Sequence, residues 1–184
     1  MTLDASESLL LVVDMQPTFM TTIHRIQAVQ DRVLFLVKAA QLLGVPILHT
    51  EQYPDRMGGT EASIQEALGR PGIGKLSFSC MGEPKFVEAL EKEGRTQIIL
   101  CGIETHICIS QTAHDLMEED VEVILASDAI SARTLNMHQI GMSRLKELGC
   151  TTAHSESILY EWMENAAHPQ FKSALNLVKA HPAE

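Results

Sequence analysis

The chain has 184 residues, of which 45% are hydrophobic, and its formal net charge is −10. This length suffices for one domain with a full core, and the hydrophobic fraction excludes a disordered chain. An acidic surface repels phosphate backbones and anionic headgroups, so neither nucleic acid nor membrane is expected as the main partner. We therefore expect a single domain over residues 1–184 whose partner is a small molecule.

The N-terminal segment and the cysteines indicate a cellular compartment. The segment has neither the basic region nor the cleavage site of a secretory signal, and its apolar run is too short to span a bilayer. The four cysteines contain no CxxC pair: Cys80, Cys101, Cys108 and Cys150. These features predict a reduced protein in the cytoplasm.

Apolar runs alternate with segments of helical spacing along the chain. Strands are predicted over residues 9–13, 45–49, 97–101 and 121–126, with a weaker one in CTTAHS after Gly149. Helices are predicted over residues 26–43, 84–93, 105–119 and 136–148, with a short one at 61–68 between long loops. Runs that are apolar on both faces are typical of covered parallel sheets. The pattern predicts an α/β fold, a three-layer, doubly wound (Rossmann-like), mostly parallel sheet with helices on both faces.

In such folds the functional crevice lies beyond the carboxyl ends of the strands, where two reactive residues are found. Asp14 directly follows the first predicted strand, either as a functional acid or as a turn residue. Cys108 lies near the start of the helix after the third strand. If Thr105 is the N-cap, Cys108 is the third helical residue, where free N–H groups and the helix dipole lower a thiol pKa. An inert buried thiol is the alternative.

The spacing of residues along the sequence also bears on other types of catalytic and binding site. A cysteine phosphatase needs an arginine six residues after the cysteine, but position 114 is His. A papain-like site needs a histidine base, and four candidates stay open: His106, His114, His138 and His154. No dinucleotide or P-loop motif is present. His49 and Glu51 are only a weak metal signal, so neither a metal nor a cofactor is expected.

Several motifs follow one another in the order found in a known superfamily. They are LLVVDMQ at the first strand, GKLSFS before the middle of the chain, and ILCGIETHICISQTAHDL around Cys108. Together these segments resemble the isochorismatase-like hydrolases, which include nicotinamidases and N-carbamoylsarcosine amidase. TEQYP, SDAISAR and ILYEWMENAAHPQFK resemble the subgroup of isochorismatase domain-containing proteins. The match runs from about Ser8 to Lys179.

The resemblance implies an active site and a mechanism. Asp14, Lys75 and Cys108 match the catalytic set, although Lys75 taken alone would be an ordinary surface lysine. A cis peptide between Ile103 and Glu104 is implied as well, aiming the Glu104 and Cys108 N–H groups into an oxyanion hole. Cleavage of a C–N bond would then pass through a thioester on Cys108.

Two departures narrow the expected substrate. Metal-binding nicotinamidases carry an Asp and several His after the second strand, where this chain has TEQYPDRMGG, so a metal is not supported. Isochorismatases proper lack the cysteine, which places this chain with the amide-cleaving branch. By position, four residues are pocket candidates for a small, partly apolar, neutral ligand, with structural roles equally open: Gln16, Phe19, Gln52 and Tyr53.

Two further functions stay open beside the hydrolase. In one alternative the chain is a catalytically silent family member that acts as a binding or scaffold protein. In the other, Cys108 has a redox role. A homo-oligomer is expected in either case. An apolar stripe near the C-terminus predicts either an interface or packing on the chain's own sheet: Phe171, Ala174, Leu175 and Val178.

Overall fold

The centre of the protein is a sheet of six parallel strands, seen in a computed structural model that describes residues 2–182. The strands are β1 (Ser8–Val13), β2 (Ile47–Gln52), β3 (Ile73–Lys75), β4 (Gln97–Ile103), β5 (Glu122–Ser131) and β6 (Thr151–Ala153). Their order is β3-β2-β1-β4-β5-β6. Because the order reverses between β1 and β4, a ligand crevice is expected beyond the carboxyl ends of these two strands.

The sheet confirms the predicted fold class and corrects some strand bounds. β2 begins at Ile47 rather than residue 45, since Pro46 has no N–H for the sheet. β5 runs to Ser131, five residues beyond its predicted end. β3 is absent from the predicted elements because three residues that include Gly74 give no readable apolar period. The missed strand matters, since it ends in Lys75.

Helices cover both faces of the sheet. They are α1 (Pro17–Met20), α2 (Ile26–Leu43), α3 (Pro54–Met57), α4 (Ala62–Leu68), α5 (Pro84–Glu93), α6 (Ser110–Leu116), α7 (Leu135–Leu148), α8 (Ser155–Met163) and α9 (Phe171–Ala180). α2 and α5 have their predicted bounds, and α7 begins one residue early. Within residues 2–182, no helix is both long enough and apolar enough to cross a membrane.

The predicted helix 105–119 is wrong in its first turn and in its end. Residues Thr105–Ile109 form a π-helical turn, and α6 follows only from Ser110 to Leu116. The Ile109 N–H donates to the Glu104 carbonyl at 3.3 Å, which is the wider hydrogen bond of a π turn. The N-cap is Glu104 rather than Thr105, so Cys108 is the fourth residue of this turn. Such turns are rare and recur at functional sites.

β1 supplies side chains to two separate cores. Leu10 and Val12 belong to the core under α2 and α8, whereas Leu9, Leu11 and Val13 belong to the core under α5, α6 and α7. This alternation follows from the two-residue period of a strand. Each such buried side chain contributes about 1.5–3 kcal/mol. A strand apolar on both faces leaves room for a carboxylate only beyond its end, where Asp14 stands.

The C-terminal stripe packs on the chain's own sheet layer. Ala174 of α9 is buried in the core under α2, and Phe171 and Val178 pack against the same core. Leu175 is half-buried. Of the two uses that the sequence leaves open for this stripe, the structure shows packing within the chain.

Candidate active site

Asp14 is placed by the end of β1 at the point where the strand order reverses. Its φ of 50° is left-handed, a backbone conformation that residues other than glycine seldom adopt outside functional turns. The Asp14 N–H donates to the Thr50 carbonyl at 3.2 Å, which ties the turn to β2. The residue is only 2% exposed, so its carboxylate needs partners inside the protein.

Lys75 is the first of these partners. Its Nζ donates to Asp14 Oδ2 at 2.7 Å, and both side chains are almost fully buried. The same Nζ donates to Gln52 Oε1 at 2.6 Å and to the carbonyls of Phe78 at 3.1 Å and Ser77 at 3.3 Å. A buried ion pair is stable only when hydrogen bonds satisfy both charges, and this ammonium has more acceptors than protons. Lys75 is therefore no surface lysine.

Thr50 and Gln52, both on β2, complete the surroundings of the pair. Thr50 Oγ1 donates to Asp14 Oδ1 at 2.8 Å, so each carboxylate oxygen has its own donor. Gln52 Nε2 donates to the Leu76 carbonyl at 2.8 Å, which turns Oε1 toward Lys75. Sequence reasoning missed Thr50. The available signal was a polar residue near the end of a buried strand that neighbours β1.

The turn after β4 carries the cysteine. The peptide between Ile103 and Glu104 is cis, as the resemblance implies. The Glu104 carboxylate accepts from the Arg133 N–H at 3.3 Å and from Arg133 Nε at 3.1 Å. Cys108 Sγ lies 4.0 Å from Gln52 Oε1. Cys108 and the Asp14–Lys75 pair therefore lie on either side of the Gln52 side-chain amide.

The thiol of Cys108 differs from its expected state. The side chain is 8% exposed, and burial raises its pKa well above the ordinary thiol value. The Asp14 carboxylate raises it further, and Lys75 only partly opposes them. The helix start is expected to lower this pKa, whereas burial and the Asp14 carboxylate act in the opposite direction.

Asp14, Gln52, Glu104 and Cys108 line one small cavity of about 90 Å³. Its remaining walls are apolar side chains: Phe19, Phe78, Ile103 and Ile107. Of these eight residues, sequence reasoning did not single out Phe78, Ile107 or the side chain of Ile103. Phe78 lies in the GKLSFS motif, which was the available signal.

Two of the four predicted pocket residues lie outside this cavity. Gln16 is fully buried, and its Nε2 donates to the carbonyls of Gln52 at 3.0 Å and Gly58 at 2.6 Å. Its Oε1 accepts from the Gln52 N–H at 2.7 Å, so the amide braces the backbone. Tyr53 stacks with Arg56, whose guanidinium lies 5.5 Å from the ring centroid. Phe19 and Gln52 do line the cavity.

The other cysteines are buried and unpaired. Cys80 lies beneath the site, with its Sγ 3.7 Å from Thr50 Oγ1, and burial raises its pKa to about 11. Burial also raises the pKa of Cys150 to about 11, and that of Cys101 in β4 still further. These positions fit packing roles.

The histidines that stayed open as thiol bases do not reach the site. None of the four candidates lines the cavity: His106, His114, His138 and His154. His138 Nδ1 shares a hydrogen bond with Thr105 Oγ1 at 2.9 Å, and His154 pairs with Asp128 at 3.2 Å. Asp14, in contrast, lines the same cavity as Cys108.

The weak metal signal at β2 has a structural explanation. The Glu51 carboxylate accepts hydrogen bonds from the Thr60 N–H and from Thr60 Oγ1, each at 2.8 Å. Glu51 is 7% exposed. His49 is also buried, and burial lowers its pKa. Across residues 2–182, no three His, Cys, Asp or Glu side chains form a group that could hold a metal ion.

The sequence pattern of the Isochorismatase domain matches residues 8–157. This chain belongs to the isochorismatase family. The mouse isochorismatase domain-containing protein 2A is 37% identical over 177 residues, which cover 94% of this chain and 82% of the mouse protein. The predicted family and subgroup are thereby confirmed, together with the hydrolase-type fold of the family.

Solved structures agree with this family assignment. The MAR1 ribonuclease from Caenorhabditis elegans superimposes with a TM-score of 0.91 at 30% identity, covering 99% of this chain and 95% of that protein. YcaC from Escherichia coli, described as an octameric hydrolase of unknown specificity, gives a TM-score of 0.91 at 19% identity. The match covers 98% of this chain and 91% of YcaC, and at this identity it shows the fold alone.

Proposed function

We propose that this isochorismatase family member is a cysteine-dependent hydrolase that cleaves the C–N bond of a small amide. Asp14, Lys75 and Cys108 form the catalytic set. The observation that carries the proposal is the Lys75–Asp14 ion pair of 2.7 Å, whose carboxylate lines the same small cavity as the Cys108 thiol. A buried charge pair beside a buried thiol is costly to fold around, and catalysis explains why the chain keeps it.

The first step is transfer of the thiol proton. Burial and the Asp14 carboxylate raise the pKa of Cys108, so the thiolate forms only as the proton moves to Asp14. The thiolate then attacks the substrate carbonyl carbon and opens its double bond. Lys75 stays protonated through this step and stabilises whichever neighbouring group holds the negative charge.

The second step stabilises the oxyanion. The N–H groups of Glu104 and Cys108, on the turn between Ile103 and Ile109, are the donors that we assign to it. Each preorganised donor of this kind contributes about 2.7–4 kcal/mol to the transition state. The apolar side chains of the cavity wall strengthen these hydrogen bonds because they lower the local dielectric constant.

The remaining steps use the same carboxyl group twice. Protonated Asp14 gives its proton to the leaving nitrogen as the C–N bond breaks, which leaves a thioester on Cys108. Asp14 then takes a proton from a water molecule, whose oxygen attacks the thioester carbon. The C–S bond then breaks to release the acid, and Asp14 returns the proton it took from water to the Cys108 sulfur, so atoms and charge balance over the cycle.

Gln52 and Thr50 act as positioning residues in this proposal. Gln52 Oε1 lies within 2.6 Å of Lys75 Nζ and 4.0 Å of Cys108 Sγ, so one amide sets the spacing of ammonium and thiol. Thr50 fixes Asp14 through its 2.8 Å hydrogen bond to Oδ1. Neither group exchanges protons in the cycle.

The cavity defines the substrate class. About 90 Å³ is well below the ~300–1,000 Å³ of drug-sized pockets. The charges of the site are paired with each other, so no free charge is left to hold an ionic substrate. Phe19 and Phe78 supply an apolar wall for the acyl group. A short, uncharged amide satisfies these limits.

Ammonia release from primary amides tests the proposal. We would use a series from formamide to hexanamide, with Cys108→Ala and with Cys150→Ala as the matched control, because Cys150 is a buried thiol outside the cavity. Turnover of the shorter members by the native protein and by Cys150→Ala, with none by Cys108→Ala, supports the proposal. A covalent acyl adduct on Cys108, seen by mass spectrometry after acid quench, identifies the intermediate.

Three outcomes would count against the proposed hydrolase activity. Activity that persists in Cys108→Ala shows that the thiol is not the nucleophile. Saturable amide binding without turnover favours a catalytically silent binding protein. Oxidation of Cys108 by dilute peroxide at a rate above that of Cys150 would favour the redox role instead.

RNA is a second candidate substrate because the C. elegans relative bears the name of a ribonuclease. The net charge of −10 and the small cavity favour a small molecule over a polyanion. RNA cleavage by the native protein, absent from Cys108→Ala, would replace the amide proposal. The amide series and the RNA assay therefore decide between the two.

We also infer a homo-oligomer in the cytoplasm. Phe78 in the cavity wall and its neighbour Leu76 are 54% and 71% exposed, and Ile140 on α7 is 60% exposed. A second copy would cover this apolar surface. The octameric E. coli relative supports assembly. The four unpaired thiols support a reducing compartment. Light scattering on Leu76→Glu and Ile140→Glu should show a smaller assembly than the native protein.

A further inference from the structure

The segment from the end of β5 to the middle of α7 holds the turn that carries Cys108. The Glu104 carboxylate accepts from the Arg133 N–H at 3.3 Å and from Arg133 Nε at 3.1 Å. The next residue of the turn, Thr105, is fully buried and has both branches of its side chain against α7. Two consecutive residues of the turn are therefore held from outside it, although no step of the proposed mechanism uses α7.

The first contact between α7 and Thr105 is a hydrogen bond. His138, near the start of α7, shares it through Nδ1 with Thr105 Oγ1 at 2.9 Å. Burial lowers the pKa of His138, and the neighbouring His24 lowers it further, so the ring is mainly neutral at pH 7. A neutral imidazole has one donor and one acceptor nitrogen, and a hydroxyl group can play either role, so the bond forms with either tautomer. The hydroxyl group of Thr105 is thereby fixed to α7.

The second contact is a close approach at Gly141, which lies on the same face of α7 because it follows His138 by three residues. A Cβ atom at position 141 would lie 3.0 Å from Thr105 Cγ2, 3.2 Å from the His106 backbone nitrogen and 3.3 Å from His106 Cα. Carbon atoms pack best at about 3.5–4.0 Å, so α7 approaches the turn this closely only with glycine at this position. The methyl group of Thr105 is thereby enclosed as well.

This glycine is costly for the helix that contains it. Gly141 is buried in the middle of α7, which has 14 residues. Glycine in a helix interior weakens the helix relative to alanine. The close contact with the Cys108 turn supplies a reason for glycine here, since alanine would push the helix and the turn apart.

His138 also lines a second cavity, which we call the large cavity. It encloses about 540 Å³ between the first turns of α2, the second half of β5 and the start of α7. It shares no lining residue with the small cavity that Cys108 lines. The contact of His138 with Thr105 is made by Nδ1 alone, so it does not require anything to occupy the large cavity.

We propose that His138 and Gly141 are positioning residues for the active site, acting through Thr105, whose hydroxyl and methyl groups they hold. Thr105 directly follows Glu104 and lies three residues before Cys108, so a shift of Thr105 moves the proposed oxyanion donors and the thiol together. A misplacement of about 1 Å can cost about a hundredfold in rate. This inference rests on the hydrolase function proposed above.

Gly141→Ala tests the close contact. The new methyl group should lower kcat for the best amide about tenfold and leave KM within about twofold, since it misaligns reacting groups without entering the small cavity. Adding Thr105→Ser removes the Cγ2 atom at 3.0 Å, so the double variant should regain at least threefold in kcat. Ser143→Ala, on the exposed side of α7, is the control and should keep native kcat. Alanine is the better helix former in both variants, so a weaker helix does not account for a loss.

The hydrogen bond is tested from both sides. Thr105→Val and His138→Leu should each lower kcat about three- to tenfold, the value of one ordinary hydrogen bond. Thr105→Ser and His138→Asn keep a hydrogen-bonding group near the same place and should stay within about twofold of the native kcat. His138 is only half-buried, so its variants keep the test valid if Thr105→Val does not fold.

Hydrogen exchange of the turn provides a measurement that needs no substrate. The N–H groups of Ile107 and Ile109 donate to the Glu104 carbonyl at 3.0 and 3.3 Å. They should exchange at least fivefold faster in Gly141→Ala and His138→Leu than in the native protein, because a turn without its support opens more often. Amides in the middle of α2 should exchange at the native rate in both variants.

These measurements separate failure of this inference from failure of the hydrolase. A native protein that cleaves no amide removes the proposed function, and exchange then decides whether α7 holds the turn. Native exchange rates at Ile107 and Ile109 in both variants would overturn the inference. So would a native kcat in a folded Gly141→Ala variant, or a loss of kcat that Thr105→Ser does not relieve.

Discussion

The two cavities of this protein differ in how their polar groups are satisfied. At the small cavity the lining residues Asp14 and Gln52 bind Lys75 and Thr50 behind the wall, and both oxygens of Asp14 have donors at 2.7 and 2.8 Å. In the large cavity Asp31 pairs with Arg32 and Asp128 pairs with His154, as two separate ion pairs. The small cavity therefore has one connected network around Lys75, whereas the large one has separate pairs around about 540 Å³.

Cavity volume is a poor guide to the catalytic site that we propose. The larger cavity encloses about 540 Å³ and the smaller about 90 Å³, yet it is the smaller that has a thiol and a carboxylate in its walls, with the Lys75 ammonium bound to that carboxylate. A reacting group must be held in fixed geometry, and a tight network of hydrogen bonds achieves this best in a small, dry space.

The largest expected effect comes from removing the base in the small cavity. Asp14→Asn should lower kcat/KM for the best amide by about 10²–10⁴-fold, since general base catalysis is lost. Iodoacetamide should label Cys108 faster than in the native protein at the same pH, because the Asp14 carboxylate raises the pKa of that thiol. The labelling curve should therefore move to lower pH. Slower labelling together with slower turnover would point to misfolding, which circular dichroism checks.

The next effect is on stability. Lys75→Met leaves Asp14 buried without its counter-charge and should lower the free energy of unfolding by about 3–5 kcal/mol in urea. Adding Asp14→Asn to Lys75→Met should restore most of this loss. The exposed Lys172→Met on α9 is the control, with an expected change within about 0.5 kcal/mol. Equal losses in the single and double variants would contradict a tightly coupled pair.

A smaller effect is expected from the positioning residue. Thr50→Val removes a hydrogen bond to a charged group worth about 1.5–3 kcal/mol, so kcat/KM should fall roughly ten- to a hundredfold. Thr60→Val is a matched control, because Thr60 makes the same 2.8 Å bond to the buried Glu51, outside the cavity. That control should lose stability and keep its turnover per folded molecule. A similar loss of turnover in both variants would remove the special role of Thr50.

The smallest effect separates the two cavities. Arg25→Gln should change amide turnover by less than about twofold, because its charge is exposed and remote from the reacting atoms. A tenfold loss of turnover would show that the large cavity contributes to catalysis, and the contrast drawn above would then fail. Steady-state ammonia release measures this directly.

The sequence predicted those parts of the site that depend on strand ends. Asp14 follows a strand that is apolar on both faces, and Cys108 follows the strand beside it, so their proximity comes from sheet topology alone. Lys75 could be assigned only through the resemblance, since its strand has three residues and its burial depends on Phe78 and Ser77 folding back over it.

Other features depend on packing that a single sequence does not reveal. The π turn at Thr105 differs from an α-helix by one hydrogen bond, and helical spacing does not distinguish them. Gln16 and Gln52 are both glutamines near strand ends, but one braces backbone and the other faces the cavity. The pKa of Cys108 is raised mainly by burial. The position of a residue in a predicted helix does not show how deeply its side chain is buried.

The four acceptors around Lys75 Nζ have a consequence for the whole catalytic cycle that we propose. The ammonium would stay in one place, while the negative charge would move from carboxylate to thiolate to oxyanion and back. The net charge of the site would therefore be the same at every step. If the net charge of the site does not change during the reaction, the electric field outside the site hardly changes either. Added salt should therefore leave the rate constant of the chemical step almost unchanged.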